Sequence, residues 1–245
     1  MKKIRATLIL ISCFCCSILS YGATKIGMLM YDPPYIISPH EGFDVDLSHM
    51  LCARLKLECQ FVFLKDTQQI YDALKNGQVD LAISGITISA ARQKEFIFSL
   101  PYMLSQGQFL TLRENNINSI NDLSNMTVGV IRDKLSGGVL YSYVTNNFQK
   151  KFTIHQYETV EDMFAALGDK RISAVFLYRS DINYWNHNGG NVFKPLGAVV
   201  TLGEGLAIMA KPQNAVLIAE INKTLKQMEQ NNAYLDLYTV YFSNQ

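Results

Sequence analysis

The chain has little of what hydrolytic or metal chemistry requires. Histidine is scarce: His40, His49, His155 and His187 are scattered along 245 residues, with no two at ligand spacing. There is no Gly-x-Ser-x-Gly elbow, no His-Glu-x-x-His and no Gly-Lys-Ser/Thr phosphate cradle, which removes the usual hydrolase, zincin and nucleotide-binding readings. Cysteine is also sparse. Three of five (Cys13, Cys15, Cys16) fall in the N-terminal apolar run, and the remaining Cys52 and Cys59 are too few for a zinc site without histidine partners. Neither sign of charge is in excess, with 22 Lys and Arg against 21 Asp and Glu, so neither nucleic acid nor an anionic membrane is implied as a partner. Beyond residue 19 no segment is long and apolar enough to cross a bilayer, and the mature chain reads as soluble.

The N-terminus carries a basic head (Lys2, Lys3, Arg5), an apolar run from Ala6 to Leu19, and small residues at Ser20, Gly22 and Ala23. This is the layout of a secretory signal peptide over residues 1–22, cut after Gly22 or Ala23. Leu10-Ile11-Ser12-Cys13 resembles a lipoprotein box but leaves a very short apolar core before it. Without residues 1–22 the balance is 19 basic against 21 acidic side chains. An even cysteine count in an exported chain suits a disulfide. Seven residues along an unbroken helix span about 10 Å, too far for a bridge. If Cys52 and Cys59 pair, the helix from Asp46 must therefore end near Leu55 to Leu57; two reduced thiols are the alternative.

Strands at 25–30, 59–64 and 79–83 alternate with helices at 46–57 and 68–75, and a similar pattern follows from Phe109 to Leu177. Alternation of this kind predicts an α/β chain of two units with largely parallel sheets. Asn214 to Asn231 has the periodicity of a long amphipathic helix, and the final segment is free to rejoin the first unit. Asp44 and Asp46 read as helix-capping acids rather than a catalytic pair.

The most informative stretch runs from Val79 to Tyr102. An apolar strand leads into Ser84, Gly85 and Thr87, with Arg92 five residues beyond Thr87. Hydroxyls and backbone N–H groups at a helix N-terminus accept an anion, and a guanidinium clamps a carboxylate with two parallel hydrogen bonds. The alternative for Arg92 is an exposed helix residue.

Gly42-Phe43-Asp44-Val45-Asp46-Leu47, the 79–102 block, Val128-Gly129-Val130 and the ending 234–242 together resemble the extracytoplasmic solute-binding proteins of polar amino-acid ABC transporters, of the glutamine-binding and lysine/arginine/ornithine/histidine-binding types. Cys52 and Cys59 fall where some of these relatives carry a disulfide. The resemblance implies a periplasmic-binding-protein type II fold. Its first lobe would hold residues 23–103 and 203–245 and its second 104–202, joined by crossovers near Tyr102–Gln106 and Val200–Glu204. It also implies a monomeric periplasmic binder that delivers its ligand to an inner-membrane permease, with no cofactor and no metal. Ser84, Gly85 and Thr87 would then take the ligand's head group and Arg92 its α-carboxylate.

Two positions depart from the family pattern. Tyr178 stands where an Asp usually meets the α-ammonium, and a phenol carries no charge at neutral pH. Asp181, one turn on, is the substitute. In the loop after Val130, Ser136 stands in for the usual Gly-Ser or Gly-Thr. The distal pocket maps to Leu29, Asp32 and Thr67; an acid at 32 suits a cationic or amide side chain, or is a turn residue before Pro33-Pro34. Tyr35 and Phe43 wall the cleft or, for Phe43 above all, belong to the core. Periplasmic cyclohexadienyl dehydratases share the fold, and Arg92-Gln93-Lys94 with Phe98-Ser99-Leu100-Pro101-Tyr102 resembles their version of the block. No positioned acid for that chemistry is identified. A membrane-anchored sensor module is disfavoured, since no membrane segment follows the domain.

Overall fold

A computed structural model describes residues 22–132, 138–148 and 150–242. The elements run β1 (Thr24–Leu29), α1 (Phe43–Leu55), β2 (Cys59–Leu64), α2 (Thr67–Lys75), β3 (Leu81–Ala82), β4 (Ile97–Phe98), β5 (Gln106–Leu112), β6 (Thr127–Ile131), α3 (Gly138–Phe148), β7 (Thr153–Tyr157), α4 (Val160–Gly168), β8 (Ala174–Tyr178), α5 (Arg179–Asn188), β9 (Phe193–Thr201), β10 (Met209–Ala210), α6 (Ala215–Gln230) and α7 (Ala233–Phe242). They form two five-stranded sheets, ordered β2-β1-β3-β10-β4 and β7-β6-β8-β5-β9.

Each sheet is covered on both faces, and the period-2 alternation of its strands divides the core accordingly. In β8, Ala174 and Phe176 face one cluster with Leu140 and Val144 of α3, while Val175 and Leu177 face another with Met163 and Leu167 of α4. A strand buried on both faces reads as an unbroken apolar run, as Ala174 to Leu177 does. In the first sheet Leu81 and Ala210 meet α1, α6 and α7, whereas Ala82 and Met209 meet Ile70 and Leu74 of α2.

The sheets are mixed rather than largely parallel. β1 runs parallel to β2 and β3, and β6 to β7 and β8. β10 is antiparallel to β3 and β4, and β5 is antiparallel to β8 and β9. The antiparallel strands are those that enter from, or leave for, the other sheet. The two crossings lie side by side: Leu206 N donates to Met103 O and Leu202 N to Ser105 O, both at 2.8 Å. After the second crossing the chain returns to the first sheet, where Phe43 packs edge-on to Tyr234 and Phe242 at centroid distances of 6.0 and 5.2 Å.

Helix α1 begins three residues earlier than its periodicity predicts. Gly42 before it sits at φ 140°, and a Cβ there would lie 2.2 Å from Tyr35 O, so only glycine permits this approach. At its other end Lys56 takes a left-handed conformation, and Leu57 N donates back to Cys52 O. The chain reverses, Cys59 opens β2, and Cys52 and Cys59 are bridged at a Cα separation of 6.3 Å. Strand β9 is absent from the periodicity reading because Pro195 and Gly197 interrupt it. It is an edge strand, where such residues are tolerated.

Candidate functional site

The site is built on the 84–92 segment, which is not the helix N-terminus its residue types suggest. Only a single 3-10 turn, Arg92–Lys94, forms there. Ser84 Oγ accepts from Leu29 N at 3.2 Å, tying the turn to the end of β1. Gly85 sits at φ 56°, and a Cβ would come within 2.9 Å of the Tyr35 ring. Its amide is already committed, donating to Asp44 Oδ2 at 2.7 Å; it is not a spare donor for an anion.

Asp44 is therefore no helix cap. Its side chain makes no capping bond but lies fully buried, accepting from Gly85 N and, at 3.1 Å, from Tyr102 O–H. Burial pushes its carboxyl up to about 7, against the two donors that pull it down. Asp46 likewise accepts from Tyr241 O–H at 2.6 Å, linking α1 to α7.

Arg92 is 5% exposed, which removes the surface-helix alternative. Its Nε donates to Tyr71 Oη at 2.8 Å and its Nη1 to Thr87 O at 2.6 Å, orienting the guanidinium fork. A guanidinium has five donors, so this anchoring is compatible with a bidentate grip on a carboxylate. Thr87 is wholly buried. Its hydroxyl donates to Tyr178 Oη at 3.1 Å and lies 2.8 Å from Ser105 Oγ, so it works between the lobes rather than on the cavity wall.

Asp32, Thr67, Ser84, Gly85 and Arg92 from the first half face Arg132, Tyr178 and Asp181 from the second around one cavity of about 100 Å³. A wider cavity of about 290 Å³ adjoins it, sharing Arg92, Gly138 and Val139. Ser136 lies outside the described residues. Leu29 packs with the α2 cluster and Phe43 is fully buried in the core. Tyr35 lies beneath Gly85 and reaches the second lobe.

The cavity is acidic at one end. Asp32 is pushed well above the usual carboxylate range, first by burial and then by the charges of Asp181, Asp44 and Glu161. Asp181 is pushed up to about 7 by burial, against donation from Ser180 and its own backbone N–H. Two contacts hold the lobes together here: Thr87 Oγ1 to Tyr178 Oη at 3.1 Å, and Tyr35 Oη to Ser180 Oγ at 2.7 Å. The cleft is closed. Among the described residues no group of three His, Cys, Asp or Glu is placed to hold a metal.

Sequence reasoning missed Ser180, and it gave Asp44 the wrong task. Asp44 stands in the Gly42–Leu47 motif, but its partner Gly85 is 41 residues away, and no local pattern links them.

Known proteins place this geometry. The chain is 26% identical over 248 residues to the arginine-binding periplasmic protein of Mannheimia haemolytica, covering 97% of each. It is 24% identical over 209 residues to the lysine/arginine/ornithine-binding periplasmic protein of Escherichia coli, covering 82% of this chain and 78% of that one. A crystal structure of an arginine third transport system periplasmic binding protein from Legionella pneumophila superposes with a TM-score of 0.81 at 33% identity, covering 90% of this chain and 99% of its own. Over residues 24–244 the sequence matches one family throughout, and the protein belongs to the bacterial extracellular solute-binding proteins, family 3.

Proposed function

We propose that the protein captures a cationic amino acid in the cleft between its lobes and delivers it to an ABC permease. One observation carries the choice of ligand class: the cavity sets the anchored guanidinium of Arg92 against two acids, the half-buried Asp32 and the buried Asp181, while Arg132 on the same wall is already paired with Glu158 at 2.6 Å. A zwitterion with a further positive side chain offers one carboxylate and two cations, the complement of that set. Arg92 takes the α-carboxylate, with Ser84 beside it. Asp181 replaces the charge that Tyr178 lacks and meets the α-ammonium. Asp32, with Thr67, receives the distal cation. Without a cation the two acids repel each other and resist ionisation; a bound cation reverses both effects. Relatives whose names state arginine, lysine and ornithine binding support the same class.

Residues 23–103 and 203–245 act as one lobe and 104–202 as the other, with hinge motion at the paired crossings. Residues 1–22 are a signal peptide that directs the chain to the periplasm, where it works as a monomer. Among the described residues no helix is long and apolar enough to cross a membrane. The test is calorimetric titration of the mature protein with each of the twenty amino acids. Tight binding confined to arginine, lysine, ornithine or histidine, lost in Arg92→Ala, is expected. Tight binding of an acidic or purely aliphatic amino acid refutes the assignment.

A further inference from the structure

Tyr35, in the segment between β1 and α1, and Ser180, in the first turn of α5, meet across the cleft with their hydroxyl oxygens 2.7 Å apart. Ser180 Oγ also donates to Asp181 Oδ1 at 3.1 Å. A serine hydroxyl has one proton to give. With that proton directed to Asp181, Ser180 accepts from Tyr35 at 2.7 Å in preference to the weaker sulfur acceptor Met103 Sδ at 3.9 Å, and the bonds run one way, from phenol to serine to carboxylate. Tyr35 is held for this role: it is 3% exposed, and its ring lies under Gly85 at a distance that leaves no room for a Cβ.

We propose that Ser180 and Tyr35 are a positioning pair that orients Asp181 toward the ligand's ammonium and joins that orientation to closure of the lobes. This rests on the reading of Asp181 as the ammonium acceptor. Tyr35 packs with the first sheet and Ser180 with the second, so hinge opening separates them and breaks the chain of donors. Donors to a carboxylate favour its ionised form, and a two-hydroxyl chain polarises along its length. An ammonium ligand needs that ionised form. Closure therefore prepares the acid, and a cation on the acid favours closure, by the reciprocity of linked equilibria. Tyr178 does not take over this task, because its hydroxyl accepts from Thr87 and brings no charge.

Opposing the pair is burial, which pushes Asp181 up to about 7; Asp32 shares the cavity and itself feels the charges of Asp181, Asp44 and Glu161. Arg92 and Arg132 line the same cavity as counter-charges. Because Ser180's bond lowers the Asp181 carboxyl, its loss lets that group rise further.

The experiment is titration with L-arginine from pH 5.5 to 8.5 on the wild type, Tyr35→Phe, Ser180→Ala, the double variant and Ser180→Thr. Loss of one such hydrogen bond corresponds to a roughly 3- to 10-fold weaker Kd. Each single variant is expected to show that loss, and the double variant no more than Ser180→Ala alone, since both act through one chain. Affinity for arginine falls as pH drops through Asp181's range. The midpoint of that fall moves to higher pH in Ser180→Ala and Tyr35→Phe, and Ser180→Thr restores it. Multiplicative losses in the double variant, or weaker binding with an unmoved midpoint, overturn the pair and reduce it to packing. Tyr35→Phe keeps the ring and so carries the test if Ser180→Ala folds poorly. A wild type that binds only neutral amino acids overturns the ligand class instead, and the same cycle run with that ligand still judges the pair.

Discussion

Asp32→Asn is expected to move stability and function in opposite directions. Asp32 is held well above its ordinary range by burial and by the neighbouring charges of Asp181, Asp44 and Glu161. At pH 7.5 keeping a carboxylate there costs free energy that a neutral amide of the same shape does not. The ligand-free variant is therefore predicted to melt higher than the wild type. Arginine binding, by contrast, loses a charge-assisted hydrogen bond, worth about 1.5–3 kcal/mol. That is roughly a 10- to 150-fold rise in Kd. Calorimetric titration and thermal unfolding on the same preparations read both. An unchanged affinity, or a ligand-free variant that melts lower than the wild type, refutes the reasoning, since either removes Asp32 from the cation's reach or from the repulsive cluster.

Arg92→Ala removes the carboxylate clamp and leaves Tyr71 Oη and Thr87 O without their guanidinium, so binding is expected to fall at least 100-fold in titration. The ligand-free protein is predicted to lose stability as pH rises from about 4 to about 7. Asp44 and Asp181 have folded values near 7 against an ordinary 3.8, so the native state holds more protons in that window. Urea melts at pH 5 and pH 8 measure this; a flat profile contradicts it, and Asp44→Ser is expected to reduce the slope. Opening the Cys52–Cys59 bridge, which closes a loop of about eight residues, is predicted to cost about 2–3 kcal/mol by the chain-entropy account. Thermal unfolding with and without reductant is then expected to differ by roughly 5–10 °C.

Much of this protein was legible because the signals are local. The apolar run Ala174 to Leu177 announces a strand buried on both faces, and the 84–92 block carries the residue types from which an anion site is proposed here. The carboxylate role proposed for Arg92 needs only an arginine at a fixed offset from a small-residue turn. Cys52 and Cys59 also constrained the end of α1, since a bridge between them demands a helix stop that Lys56 in fact makes. The family resemblance extended these readings to the two-lobe architecture.

The sequence by itself determined most of the elements, though not β9, and the residue types of the site, because periodicity, turn chemistry and charge act over a few residues. The tertiary structure alone decided which side chains spend their hydrogen bonds on one another. Asp44 reads as a cap until Gly85, 41 positions on, is folded against it. Thr87 reads as a ligand residue until Tyr178 meets it from the other lobe, 91 positions away. Tyr35 reads only as a wall of the cleft and Ser180 carries no sequence mark, because their contact joins positions 145 residues apart. Partnerships of this kind arise only when two lobes close, and whether a buried polar group is free for a ligand depends on who else has already satisfied it.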